Sequence, residues 1–175
     1  MRHRCGHMAA PCMKTLFVVH HSLTGGARQM AEAAVSGALS EEGVLVRSLK
    51  AVDAVAADVL QADGYLFAAP ENLASMSGLM KDFFDRTYYA ALDRVNGRPY
   101  AALICAGSDG HGAARQIERI ATGWRLSAVA PPLIVCTHAQ TREAIERPKH
   151  IGAEDLARCA DLGQALAAGL ALGVF

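Results

Sequence analysis

The run Ser22-Leu23-Thr24-Gly25-Gly26-Ala27 places two hydroxyls and two glycines directly ahead of a helical pattern. The first N–H groups of a helix have no acceptor within it, and the helix dipole favours negative charge there. Such a loop therefore suits an anion, above all a phosphate. The same residues also make a plain strand-to-helix turn, with Thr24 as the cap and the glycines bending the chain. Neither the Gly-Lys-Ser/Thr of a nucleoside-triphosphate loop nor a G-x-G-x-x-G dinucleotide fingerprint opens this helix. Two further stretches have the make-up of ligand loops. In the first, Pro70, Glu71, Asn72 and Leu73 follow an apolar run, and Glu71 and Asn72 either reach a ligand or face water. In the second, Gly107, Ser108 and Asp109 open a glycine-rich stretch, AGSDGHG, in which the backbone can approach a ligand or simply connect two elements. His111 in that stretch has the only side chain type that titrates near neutrality unperturbed, and it is a candidate proton donor or an ordinary solvated histidine.

These loops need a frame. Residues 15–20 form an apolar run with β-branched neighbours, the texture of a strand buried on both faces. Ala27, Met30, Ala31, Ala34, Val35 and Ala38 then recur at helical steps, leaving Arg28, Glu32 and Ser36 on another face. Glu41-Glu42-Gly43 supplies a stop, with Gly43 suited to the left-handed position after a helix. Residues 44–49 read as a second strand, 52–62 as a short helix and 65–69 as a third strand ending at Pro70. A helix over 79–92 follows, with Leu79, Phe83, Phe84 and Tyr88 as its apolar stripe. A fourth strand spans 99–106, and a helix then buries Ala113, Ala114, Ile117, Ile120 and Ala121 and ends at Trp124. The fifth strand, 126–136, is broken by Pro131-Pro132, which predicts an edge, a bulge or two short strands. Residues 137–152 are polar and irregular, and 153–172 form a closing helix. Strands alternating with helices predict an α/β, three-layer, doubly wound parallel sheet of five strands. In such sheets ligands bind beyond the strand carboxyl ends, which is where the three loops lie.

Composition narrows the class. With 175 residues, 52% of them apolar and 19% charged, the chain has the means for a real core and is not disordered. Seventeen basic and seventeen acidic residues cancel, so no electrostatic footprint for nucleic acid or a membrane surface is present. The absence of a membrane-length apolar run or signal-type leader predicts a cytoplasmic protein. The five cysteines are odd in number and scattered, which reads as reduced thiols. Cys5, His7, Cys12 and His3 are metal-capable but lack a paired spacing, so no metal site is assigned. Residues 1–13 read as a flexible N-terminal extension and 14–175 as a single domain.

His21-Ser-Leu-Thr-Gly-Gly-Ala27 after a buried first strand resembles the phosphate loop of flavodoxins, usually Ser/Thr-x-Thr-Gly-Asn-Thr, with Gly26 and Ala27 replacing Asn and Thr. Pro70, Gly78, Lys81, Phe84, Asp85 and Arg86 stand where the multimeric flavodoxin-type quinone oxidoreductases and NADPH-dependent FMN reductases carry the same types. This resemblance implies a flavodoxin-like domain, with the strand order 2-1-3-4-5, that binds FMN through Ser22, Leu23, Thr24, Gly25, Gly26 and Ala27 at the phosphate. It puts Pro70, Glu71, Asn72, Leu73, Gly107, Ser108 and Asp109 around the ring. It also implies NADPH or NADH as co-substrate, a small acceptor such as a quinone, and a homodimer or homotetramer. The flavin carries the chemistry in that family, so no catalytic side chain is expected beyond His111, while Lys81, Asp82, Asp85 and Arg86 sit at ion-pair spacing. A one-electron carrier is a second reading, disfavoured by zero net charge, and a module without flavin that serves interaction or binds another phosphate is a third.

Overall fold

The computed structural model describes residues 13–175. β1 (Lys14–His20) lies inside the sheet, and its Leu16, Phe17, Val18 and Val19 are fully buried because helices cover both faces. It pairs in parallel with β2 (Val44–Lys50) on one side and β3 (Gly64–Asn72) on the other. β3 runs past Pro70, where the sequence suggested it would stop, and folds back on β4 (Ser75–Met76) as an antiparallel hairpin. Its other neighbour is β5 (Pro99–Ala106), buried along its whole length. The fifth lane holds two short strands, β6 (Ser127–Ala128) and β7 (Leu133–Cys136), both parallel to β5. Pro131 and Pro132 bring no N–H to a ladder, and the strand divides around them. The lanes follow the predicted 2-1-3-4-5 order.

α1 (Gly26–Ala38) packs on one face of the sheet, while α2 (Ala56–Gln61), α3 (Gly78–Ala91) and α4 (His111–Gly123) cover the other. α5 (Arg142–Glu146) is a single short turn inside the stretch expected to be irregular, and α6 (Ala153–Leu172) closes the chain against α1. Gly37 and Gly163 let α1 and α6 touch backbone to backbone. A Cβ at Gly163 would strike the carbonyl of Ala34, and one at Gly37 that of Ala160. The opposite core is aromatic, with Phe84 edge-on to Phe67 at 5.0 Å and to Trp124 at 5.4 Å.

Two helices differ from expectation. α2 starts only at Ala56, because the Asp58 carboxylate accepts the Val55 N–H at 2.9 Å and pairs with Arg47, fixing the chain before the helix. The buried face of α3 is Met80, Phe83, Phe84, Thr87 and Ala91, while Leu79 and Tyr88 are exposed. Thr87 can be buried because its hydroxyl donates to the Phe83 carbonyl at 2.7 Å. Lys81–Asp85 and Arg86–Asp82 form ion pairs of 2.6 and 2.7 Å, and Arg86 also donates to the carbonyls of Ala51 and Ala54. Gly43 is left-handed as expected, but in the turn before β2 and not at the helix end. Cys105, Cys136 and Cys159 are free thiols. Among the described residues no helix is long and apolar enough to cross a membrane, and no group of three or more metal-capable side chains gathers. Residues 1–12, with Cys5, His7, Cys12 and His3, lie outside the described residues.

Candidate functional site

A cleft of about 360 Å³ opens at the carboxyl ends of β1, β3 and β5. Leu23 and Thr24 line it from the first loop, Pro70, Glu71, Asn72 and Leu73 from the second, and Gly107 from the third. The three stretches singled out by residue type therefore meet in one place, because parallel strands deliver all three loops to the same sheet edge.

The first loop turns with Gly25 at φ 90°, and no side chain caps α1, so Thr24 does not take the capping role open to it. The Ser22 hydroxyl instead accepts the Gly25 N–H at 3.0 Å. Among the described residues the N–H groups of Gly26, Ala27 and Arg28 meet no acceptor, which leaves three helix-end donors for an anion. Gly26 is required by close approach, since a Cβ there would run into the Cys105 sulfur and lie 3.3 Å from the Cβ of Lys149. Ser22, Gly25, Gly26 and Ala27 sit behind the cleft, as backbone supports with the last two buried, and not on its lining.

In the second and third loops, side chains fix backbone. Glu71 accepts the Gly110 N–H through Oε1 at 2.9 Å and the Ala113 N–H through Oε2 at 3.0 Å, so its carboxylate occupies the N-terminus of α4. Glu71 thus lines the cleft while its carboxylate holds the third loop, a role the sequence did not suggest. Gln116 accepts the Met76 N–H at 2.9 Å and donates to the Ser75 hydroxyl, tying the hairpin to α4. At the hairpin tip Leu73 and Ala74 both have positive φ, 51° and 58°, and Leu73 is fully exposed on the rim. Ser108 and Asp109 are exposed and do not line the cleft, because the chain turns away after Gly107. His111 is exposed at the start of α4, also off the lining.

A fourth wall comes from the polar stretch 137–152, in which the sequence singled out no residue. Thr137, Ala139, Ile145 and Lys149 complete the cleft. This segment is strapped to the first loop. The Lys149 N–H donates to the Thr24 carbonyl at 2.7 Å, Gln29 Nε2 donates to the Lys149 carbonyl at 2.7 Å, and Ile151 N–H donates to Gln29 Oε1 at 3.2 Å. The Lys149 ammonium gives all three protons to carbonyls, those of Ala144, Ile145 and Arg147 at 2.7 to 2.8 Å, closing the end of α5. Nothing periodic marks these residues. The one available signal was position, since residue 137 follows the carboxyl end of the fifth strand and so belongs to the ligand edge. Burial pushes the Cys105 thiol up to about 11 against the pull of Lys149, so the cleft's inner wall is a neutral, apolar sulfur.

The model of the NADPH-dependent FMN reductase family matches residues 18–141. A flavodoxin of Aquifex aeolicus is 34% identical over 100 residues, covering 57% of this chain and 54% of that protein. An NAD(P)H dehydrogenase (quinone) of Acidithiobacillus ferrooxidans is 32% identical over 95 residues, covering 43% and 48%. The chain thus spans about half the length of the curated relatives it matches. Among solved structures, an archaeal flavodoxin superposes with a TM-score of 0.72 at 22% identity, covering 89% of this chain and 98% of its own. The flavodoxin-type WrbA-like protein of Agrobacterium tumefaciens gives 0.70 at 18% identity, covering 91% and 98%. The fold is flavodoxin-like.

Proposed function

The chain belongs to the NADPH-dependent FMN reductase family, and from that premise we propose that it is an FMN-binding oxidoreductase. It takes reducing equivalents from NADPH or NADH and passes them to a small acceptor such as a quinone. The observation that carries this reading is the convergence of three loops on one cleft, the first of them leading into a helix whose opening N–H groups are unpaired.

The residues present suit FMN. The N–H groups of Gly26 and Ala27 have no acceptor and follow directly on Leu23 and Thr24, which line the cleft, so a terminal phosphate beside Thr24 would find donors there, and the absent Cβ of Gly26 lets this loop pack against Cys105. A cleft of about 360 Å³ falls in the range of small-molecule sites. Pro70, Asn72, Leu73, Gly107 and Ala139 flank the space for the ring. Bound there, FMN would supply the hydride and electron transfer, and the protein's part is to bind, orient and exclude water. Glu71 positions the second and third loops against each other, and Lys149 holds the fourth wall closed. Pairing into a homodimer or homotetramer belongs to the same proposal, supported by Leu23 and Leu73, which are 79% and 100% exposed on the cleft rim. Free thiols, with no disulfide among the described residues, support a cytoplasmic setting.

The visible spectrum tests the assignment. Purified protein titrated with FMN should show flavin bands shifted from those of free FMN, and Ser22→Ala with Thr24→Ala should weaken retention roughly tenfold. Protein that leaves the FMN spectrum unchanged at saturation would sink it. The relative named flavodoxin supports one alternative, a one-electron carrier. Steady aerobic NADPH consumption with a quinone marks the enzyme, and its absence in flavin-loaded protein marks the carrier.

A further inference from the structure

A second hollow, of about 240 Å³, opens at the carboxyl ends of β1 and β2. His20, His21, Arg28 and Lys50 stand on its walls, Ser22 on its edge, and Val52 and Leu79 form apolar ground. No carboxylate lines it. Glu32 is the near negative group, held only loosely by Arg28 at 3.4 Å with both side chains more than half exposed. Among the described residues Lys50 has no ion-pair partner, and His21 Nδ1 is buried without a hydrogen bond. Burial, with the positive charges of Lys50, His21 and Arg28, holds His20 below its ordinary value against the pull of Glu32. The hollow is thus rich in donors and short of acceptors. A guanidinium, an ammonium and a hydroxyl around a small space suit the oxygens of a phosphate monoester.

Its place gives that phosphate a source. Ser22 borders this hollow and Leu23, the next residue, lines the main cleft, so the two spaces adjoin across one peptide unit. A reduced pyridine dinucleotide with its nicotinamide in the main cleft must lay its adenosine end outside it. The hollow is too small for a whole nucleotide and large enough for a phosphate and the sugar edge that carries it. Resting on the oxidoreductase reading for the identity of the co-substrate, we propose that the pocket of His20, Arg28 and Lys50 receives the 2′-phosphate of NADPH and makes the protein prefer NADPH to NADH.

Lys50 ends β2 with an exposed side chain, so Lys50→Gln leaves the packing intact. Calorimetric titration of the FMN-loaded protein with 2′,5′-ADP, 5′-ADP and inorganic phosphate is the direct test. We expect 2′,5′-ADP to bind at least tenfold tighter than 5′-ADP, and Lys50→Gln or Arg28→Gln to erase most of that difference. In turnover, Lys50→Gln should raise KM for NADPH roughly tenfold while KM for NADH and kcat stay unchanged. Equal binding of the two ADPs, or equal effects of Lys50→Gln on both co-substrates, overturns the proposal. Inorganic phosphate binding as tightly as 2′,5′-ADP overturns it in favour of a free phosphate site. The same titration on protein without flavin separates the two readings. A Lys50-dependent preference for 2′,5′-ADP in protein that never takes up FMN supports the phosphate pocket and removes the oxidoreductase assignment.

Discussion

Glu71 shows how a single side chain can be visible in a sequence while its task is not. Its carboxylate was an obvious polar group at a strand end, but its partners, the N–H groups of Gly110 and Ala113, lie 39 and 42 residues away. Only the sheet order brings them together. Glu71→Ala should cost about 1–2 kcal/mol in a urea titration, the usual worth of a helix cap with charged acceptors, and should also loosen FMN. By contrast His111→Ala should leave turnover and its pH profile unchanged, since that residue is exposed and does not line the cleft; a shifted profile would restore it as a proton donor. At the hairpin tip, two L-residues at positive φ fit the mirror-type turn that joins strands but carry a steric penalty there. Leu73→Asn with Ala74→Gly should therefore raise stability by about 1 kcal/mol, read as a higher urea midpoint. His21 gives a pH dependence, because burial holds its imidazole below the ordinary 6.5. The unfolded chain takes a proton more readily than the folded one, so its contribution is complete above that ordinary value and is lost as pH falls through the depressed folded one. The urea midpoint should fall on acidification across that window, and His21→Gln should reduce the fall.

Elements were legible where burial has a simple period and shifted where a polar residue is buried. The apolar steps of α1 and the buried runs of β1 and β5 appear in the sequence as they appear in the structure. The face of α3 was misjudged because Thr87 looks exposed in a sequence and becomes internal through a bond to its own helix, while Tyr88 looks internal and is not. The short β4 hairpin was invisible, since two paired residues leave no pattern. The contact between α1 and α6 hides in the same way, behind two glycines that resemble helix weaknesses. Gly163→Ala should lower stability by about 1–3 kcal/mol, because a methyl group there meets the Ala34 carbonyl and the helices must part. Thermal melts of the FMN-loaded protein would show the loss without a shift in its flavin bands.

At the scale of the whole molecule, the parallel sheet and the edge that carries the site follow from alternation of strands and helices, while the order of the strands was implied by the resemblance to flavodoxins and not by the pattern itself. What closes the site was not, because residues 137–152 act through backbone contacts to positions more than a hundred residues earlier, which no local pattern encodes. Gln29 joins the two distant stretches with both ends of its amide. Gln29→Ala should therefore speed FMN release severalfold while barely moving the melting temperature, since it frees the strap and not the core. Stopped-flow release against apoprotein trap would measure it. The strap also orders events during synthesis. A ribosome delivers the phosphate loop early, but the loop's partner Lys149, and α6 after it, emerge only at the end of the domain, so a nascent chain without them should be unable to keep a mononucleotide. On the FMN reading, flavin capture should be a late step of biogenesis, and chains stalled before Lys149 should leave the ribosome empty-handed.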